Sequence, residues 1–141
     1  MIFFIIPFLF SQIEEDHIRM ITSIKVAELT QILDLNEKQV VEIIPRVRRL
    51  EDLRFRFQKR RRMIIEELKL LARSQAEDSI LRQKIEEYKK IVMEFRDKEE
   101  RVKKGIEKLL SLRQQAKFLI FQNEFERRLR RFIRRAHKPR P

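Results

Sequence analysis

The chain has 141 residues with one glycine and no cysteine, which sizes it for a single domain and leaves little room for the tight turns a sheet requires. The absence of cysteine removes disulfides, thiolate catalysis and thiolate metal ligation from consideration. That scarcity of glycine predicts an all-α protein, and 40% charged with 43% hydrophobic residues predicts long charged helices in thin layers or bundles, while a formal charge of +12 predicts attraction to polyanions, acidic protein segments or an anionic membrane face and says nothing about fold. A second copy would help bury what one thin layer leaves open, so a homodimer is expected.

In chain order, Met1 to Phe10 is almost wholly apolar and then turns polar at Ser11-Gln12 and acidic at Glu14-Glu15-Asp16. The run is too short for a membrane span, which needs about 20 apolar residues, so no stable span is expected. It reads as a signal-peptide core over residues 1–11, with a small residue, Ser11, at the cleavage position, although no Lys or Arg precedes it. Export to the periplasm follows from that reading; a retained N-terminus would make the protein cytoplasmic. The remaining domain then spans 12–135, and residues 136–141 form a frayed basic tail.

Residues 13–33 read as a first helix with Ile18, Ile21, Ile24, Leu29 and Ile32 near one face and Lys25 and Glu28 on the other. A second, over 35–72, places Val40, Ile44, Val47, Leu50, Leu53, Phe57, Ile64, Leu68 and Leu71 in helical register. At 1.5 Å per residue it would be about 54 Å long. Pro45 lies inside it and predicts a bend rather than an end, because the apolar period runs through it without a phase break. Ser74 with Glu77 offers a capping box for the third helix, whose seam is Leu81, Ile85, Tyr88, Val92, Phe95, Val102, Ile106 and Leu109, with Glu99 out of place. The fourth helix runs from Leu112 to about Arg135, with Phe118, Phe121, Phe125, Leu129 and Phe132 on one side and arginines on the other.

Two helix starts share one signature. In Leu35-Asn36-Glu37-Lys38-Gln39 the Asn36 side chain can accept from the N–H of Gln39, while Gln39 reaches back to the N–H of Asn36. Leu110-Ser111-Leu112-Arg113-Gln114 repeats the device, and in both the caps are structural.

From Arg46 to Arg62 there are nine basic residues against Glu51 and Asp52, and Arg127 to Arg140 carries eight with no acid. Within the first patch Arg54, Phe55, Arg56, Lys59, Arg60, Arg61, Arg62 and Met63 form the candidate partner-binding face, with Phe57 assigned to the core and Phe55 displayed among the arginines. Basic residues interleaved with aromatics also suit nucleic-acid backbones and bases, which gives a cytoplasmic nucleic-acid-binding protein as the alternative. No catalytic constellation stands out, so the protein is not expected to be an enzyme, and no cofactor is implied. For a metal, only Glu14, His17 and Met20 share a helical face, three ligands without a fourth; a metal-responsive periplasmic protein is the further alternative.

The two motifs, together with Gln114-Gln115-Ala116-Lys117-Phe118-Leu119-Ile120-Phe121-Gln122-Asn123-Glu124-Phe125, resemble the Spy/CpxP family of small periplasmic helical proteins, marked by two LTxxQ motifs. Asn36 and Ser111 stand where that pattern has Thr, and all three residue types cap helices. The likeness covers roughly residues 20–135. It implies four helices in a hooked long-helix hairpin, paired as an antiparallel homodimer with a concave cradle. It also implies an ATP-independent chaperone for unfolded envelope proteins, a stress modulator that contacts a sensor kinase, or a zinc- or heavy-metal-responsive relative. A basic surface with exposed Phe, Ile and Met fits unfolded or regulatory protein partners best.

Overall fold

The computed structural model describes residues 6–136, with side chains from Glu15 to Arg135. It is all-helical: α1 (Ile6–Leu33), α2 (Glu37–Arg73), α3 (Asp78–Glu107) and α4 (Leu112–Ala136). The chain divides into two compact units, one of residues 1–44 with 107–141 and one of residues 45–106. α2 runs unbroken through Pro45, as the continuous apolar period predicts. The side chains of the expected leader, 1–11, and the tail from 137 to 141 lie outside the described residues. The helical backbone of α1 is described from Ile6, seven residues before the expected start. Among the described residues no helix is long and apolar enough to cross a membrane.

In the first unit the buried side chains are Val26, Leu29 and Leu33 of α1, Ile43 of α2, and Leu110, Phe118, Phe121 and Phe125 of the α4 end of the chain. The expected face of α1 is corrected by the geometry of the helix. Ile24 and Leu29 are five residues apart, about 140° out of alignment, whereas Lys25 and Leu29 differ by only about 40°. Ile24 and Ile32 are accordingly exposed, and Lys25 is buried with its Nζ 5.1 Å from the centre of the Phe125 ring. Arg128 reaches back to Glu28 at 2.8 Å and lies over the same ring. Cation on aromatic thus replaces apolar contact along one edge of the core.

α1 stops by a Schellman motif. Asp34 takes the left-handed conformation, with φ of 49°, the Leu35 N–H donates to the Thr30 carbonyl at 3.3 Å, and the Asp34 N–H donates to the Gln31 carbonyl at 3.2 Å. The chain then turns directly into the cap of α2. On α2 the buried position in this unit is Ile43 rather than Ile44, which is half-buried.

In the second unit, Arg54 of α2 meets Glu99 of α3, Phe57 meets Phe95, and Glu67 meets Lys84. The fully buried side chains are Val47, Leu50, Ile64, Ile91 and Ile106, a thin core such as two helices alone can close. The seam of α3 is Tyr88, Ile91, Phe95, Glu99, Val102 and Ile106; Ile85, expected in it, is 42% exposed. Glu99, expected out of place, is in phase and is neutralised there by Arg54. Ser74 belongs to the end of α2, its Oγ donating to the Leu71 carbonyl at 3.1 Å, and the carbonyl of Glu77 accepts the first turn of α3, from Leu81 at 3.2 Å. The expected Ser74 cap is therefore replaced by Glu77.

Candidate functional site

The basic run on α2 separates into side chains with different surroundings. Arg54 is largely covered: its Nε donates to Glu99 Oε2 at 3.0 Å and its Nη1 to Glu51 Oε1 at 3.2 Å. Burial pushes the Glu99 carboxyl up. The hydrogen bond and charge of Arg54, with Lys103 at 3.4 Å, outweigh that and hold it below the ordinary carboxylate value. Arg54 is thus a strut between the helices, not a free hand for a partner. Phe55 is half-buried instead of displayed. Phe57 stacks on Phe95 with ring centres 4.1 Å apart and planes within 7°. Lys59, Arg60, Arg61, Arg62 and Met63 are exposed, and Arg56 pairs with Asp52 at 2.8 Å on the open surface.

Arg56 and Arg60 wall a groove of about 290 Å³ whose floor is Leu53, Phe57, Ile91 and Phe95, with Glu94 and Lys98 on the opposite side. Met63, seven residues after Arg56 and so on nearly the same face of α2, is 59% exposed. Beyond Leu53 and Lys98 the groove continues as a second stretch of about 330 Å³, lined by Arg46, Arg49, Arg101, Val102 and Gly105. No acid lines that stretch. The sequence held a signal for it, since 46, 49, 53, 56 and 60 on α2, and 91, 94, 98, 101 and 105 on α3, advance by the same alternating steps of three and four. Arg46, Arg49, Lys98 and Arg101 were missed as site residues because the densest run of charge, at 60–62, drew attention further along the helix.

The cap motifs come together in the first unit. Gln39 N–H donates to Asn36 Oδ1 at 2.8 Å and Asn36 N–H to Gln39 Oε1 at 3.2 Å; Gln114 N–H donates to Ser111 Oγ at 3.2 Å and Ser111 N–H to Gln114 Oε1 at 3.0 Å. Both capping boxes form as their spacing predicts. What the spacing could not reveal is that the two glutamines face each other: Gln39 Nε2 donates to Gln114 Oε1 at 2.8 Å and Gln114 Nε2 to Gln39 Oε1 at 3.1 Å. Their remaining N–H groups go to Leu109 and Leu33 carbonyls, at 3.0 and 3.1 Å. Each amide therefore caps the start of its own helix and the carbonyl that precedes the other's. Leu35 and Leu110, the leading residues of the motifs, are half-buried and buried. All polar capacity of the pair is used internally, which makes it a clasp.

A second basic surface lies on α4, where Arg127, Arg130, Arg131 and Arg134 surround a shallow depression of about 270 Å³. Of the metal candidates, His17 and Met20 are exposed, and the side chain of Glu14 lies outside those described. Among the described residues no three of His, Cys, Asp or Glu come together as a metal site would require. No family model, no curated protein and no solved structure matches the chain.

Proposed function

We propose that the protein binds flexible, acidic and partly apolar polypeptide segments without nucleotide, as a chaperone or as a stress modulator that engages a regulatory partner. The observation that carries this is the groove in which Arg56, Arg60 and Lys98 stand over an apolar floor of Leu53, Phe57, Ile91 and Phe95, with Glu94 the one acid lining it. Long-range attraction would gather acidic segments, and the floor would hold their apolar side chains loosely. No pocket chemistry for turnover is needed. In this reading α2 and α3 form an antiparallel hairpin, two copies pair as a homodimer with a concave cradle, and the chain is exported after loss of residues 1–11. The resemblance to the Spy/CpxP family supports these finer points.

The experiment is suppression of aggregation of a chemically denatured acidic client by the protein lacking residues 1–11, without nucleotide. Suppression at low salt that fades as salt is added is expected; no suppression at low salt overturns the chaperone reading. A second reading, binding of nucleic acid by a cytoplasmic form, is favoured by the four arginines around the depression on α4. N-terminal sequencing of protein made in its own cell separates the two. A start at Gln12 accords with export, and an intact Met1 with retention.

A further inference from the structure

We infer that the stretch of groove between Arg49 on α2 and Lys98 and Arg101 on α3 is a binding site for a short oligophosphate, a ligand chemistry distinct from the polypeptide segments proposed above. The inference rests on a contrast within the second unit. Several cations there have a carboxylate beside them: Arg54 has Glu51 and Glu99, Arg56 has Asp52, Lys69 has Glu66, Lys84 has Glu67 and Glu87, and Lys103 has Glu99. Arg49, Lys98 and Arg101 have no ion-pair partner among the described residues, yet the three converge on one concavity. Like charges gathered without a counter-charge repel, and folding tolerates them at a loss that a bound polyanion would recover.

Size and lining narrow the class of anion. The stretch, about 330 Å³, lies at the lower end of the range of small-ligand clefts, about 300–1,000 Å³. It has two kinds of cation on opposite helices, guanidinium forks that match phosphate oxygens two at a time and an ammonium that adds a point charge. A single orthophosphate would satisfy one fork and leave the others facing each other; a chain of linked phosphates spans them. The apolar part of this stretch is Leu53 and Val102 with Gly105, and it holds no aromatic ring. A nucleobase would find nothing there to stack on, so the ligand is the phosphate chain itself. Gly105 leaves the groove open at its end, where an added Cβ would meet only the Arg46 side chain, at 4.0 Å.

The site is tested on the full chain by titration calorimetry and thermal melting with inorganic tripolyphosphate, orthophosphate, and sodium chloride at matched ionic strength. Tripolyphosphate is expected to bind with saturation and to raise the melting temperature, while orthophosphate and chloride do neither. Because each charge-assisted contact is worth about tenfold in affinity, Arg49→Gln with Arg101→Gln should weaken tripolyphosphate binding about a hundredfold. Both side chains are exposed, so the variant is expected to fold, which its far-ultraviolet spectrum checks. Arg73→Gln with Arg82→Gln, both exposed and outside the groove, should bind as the parent does. Equal binding by the Arg49/Arg101 variant, equal weakening by the Arg73/Arg82 variant, or the same stabilisation from orthophosphate would each overturn the assignment. Since peptide binding is read separately, its failure would leave this result intact, and the reverse.

Discussion

Replacing Gln39 by Ala should destabilise the protein by about 3 kcal/mol, far more than loss of an ordinary surface cap. The substitution removes the hydrogen bond accepted from Asn36, the one donated to Leu109, and both exchanged with Gln114. Each such bond is worth about 0.5–1.5 kcal/mol net. The Asn36 N–H can rehydrate, but the Leu109 carbonyl and the Gln114 amide are left part-buried without partners. By contrast Asn36→Ala removes a single bond to the Gln39 N–H and should cost about 1 kcal/mol. Because the two amide–amide bonds are shared, Gln39→Ala and Gln114→Ala should not add: the double variant should fall short of the sum by about 2 kcal/mol. Gln39→Glu sharpens the test. It keeps an acceptor for Asn36 but loses both donors and sets a carboxylate against the Leu109 carbonyl, so it should cost at least as much as alanine. Urea unfolding followed by far-ultraviolet circular dichroism gives all five values. A coupling within about 0.5 kcal/mol of zero, or a neutral Gln39→Glu, would refute the clasp.

Asp34→Gly should stabilise by up to about 1 kcal/mol in the same assay, since the left-handed φ of 49° is costly for aspartate and free for glycine, and an acid is removed from a helix C-terminus. Glu99 is depressed by Arg54, so its contribution is present above the ordinary carboxylate value and is lost as pH falls through the lower folded value. Stability should therefore decline as pH falls from the ordinary carboxylate value through the lower folded one, and Glu99→Gln should be less stable at neutral pH with a shallower decline, read from urea midpoints across that range. Replacing Arg60, Arg61 and Arg62 together by Ser should leave stability within about 0.5 kcal/mol and weaken capture of acidic peptides, while Asn36→Ala does the reverse. Anisotropy of a labelled peptide and urea melts on both variants check the separation.

The helices were legible because the chain offers few other options: one glycine, two capping boxes with their glutamines at the third position, and apolar steps of three and four over long stretches. The faces were less legible. Lys25 lies on the core side of α1 because helical phase, not residue type, decides what is covered, and a long aliphatic stem can lie on Phe125 where a shorter polar chain could not. Glu99 read as a fault in the seam because its partner, Arg54, is 45 residues away on another helix. The same distance in sequence hid the glutamine pair, 75 residues apart, although each motif was recognised singly. For the groove, the run at 60–62 was conspicuous and the spaced cations at 46, 49, 98 and 101 were not, since a surface shared by two helices has no local signature.

The most direct test of the proposed function is equilibrium binding of a disordered peptide carrying alternating acidic and apolar residues, measured by anisotropy over a series of salt concentrations. Parent protein should bind it more tightly than a peptide of equal charge without apolar residues, and more tightly than a basic peptide, with affinity falling as salt rises; the Arg56→Ser, Arg60→Ser variant should lose at least about tenfold. Equal affinity for all three peptides, or an unchanged affinity in the variant, would contradict the assignment of this groove as the binding site.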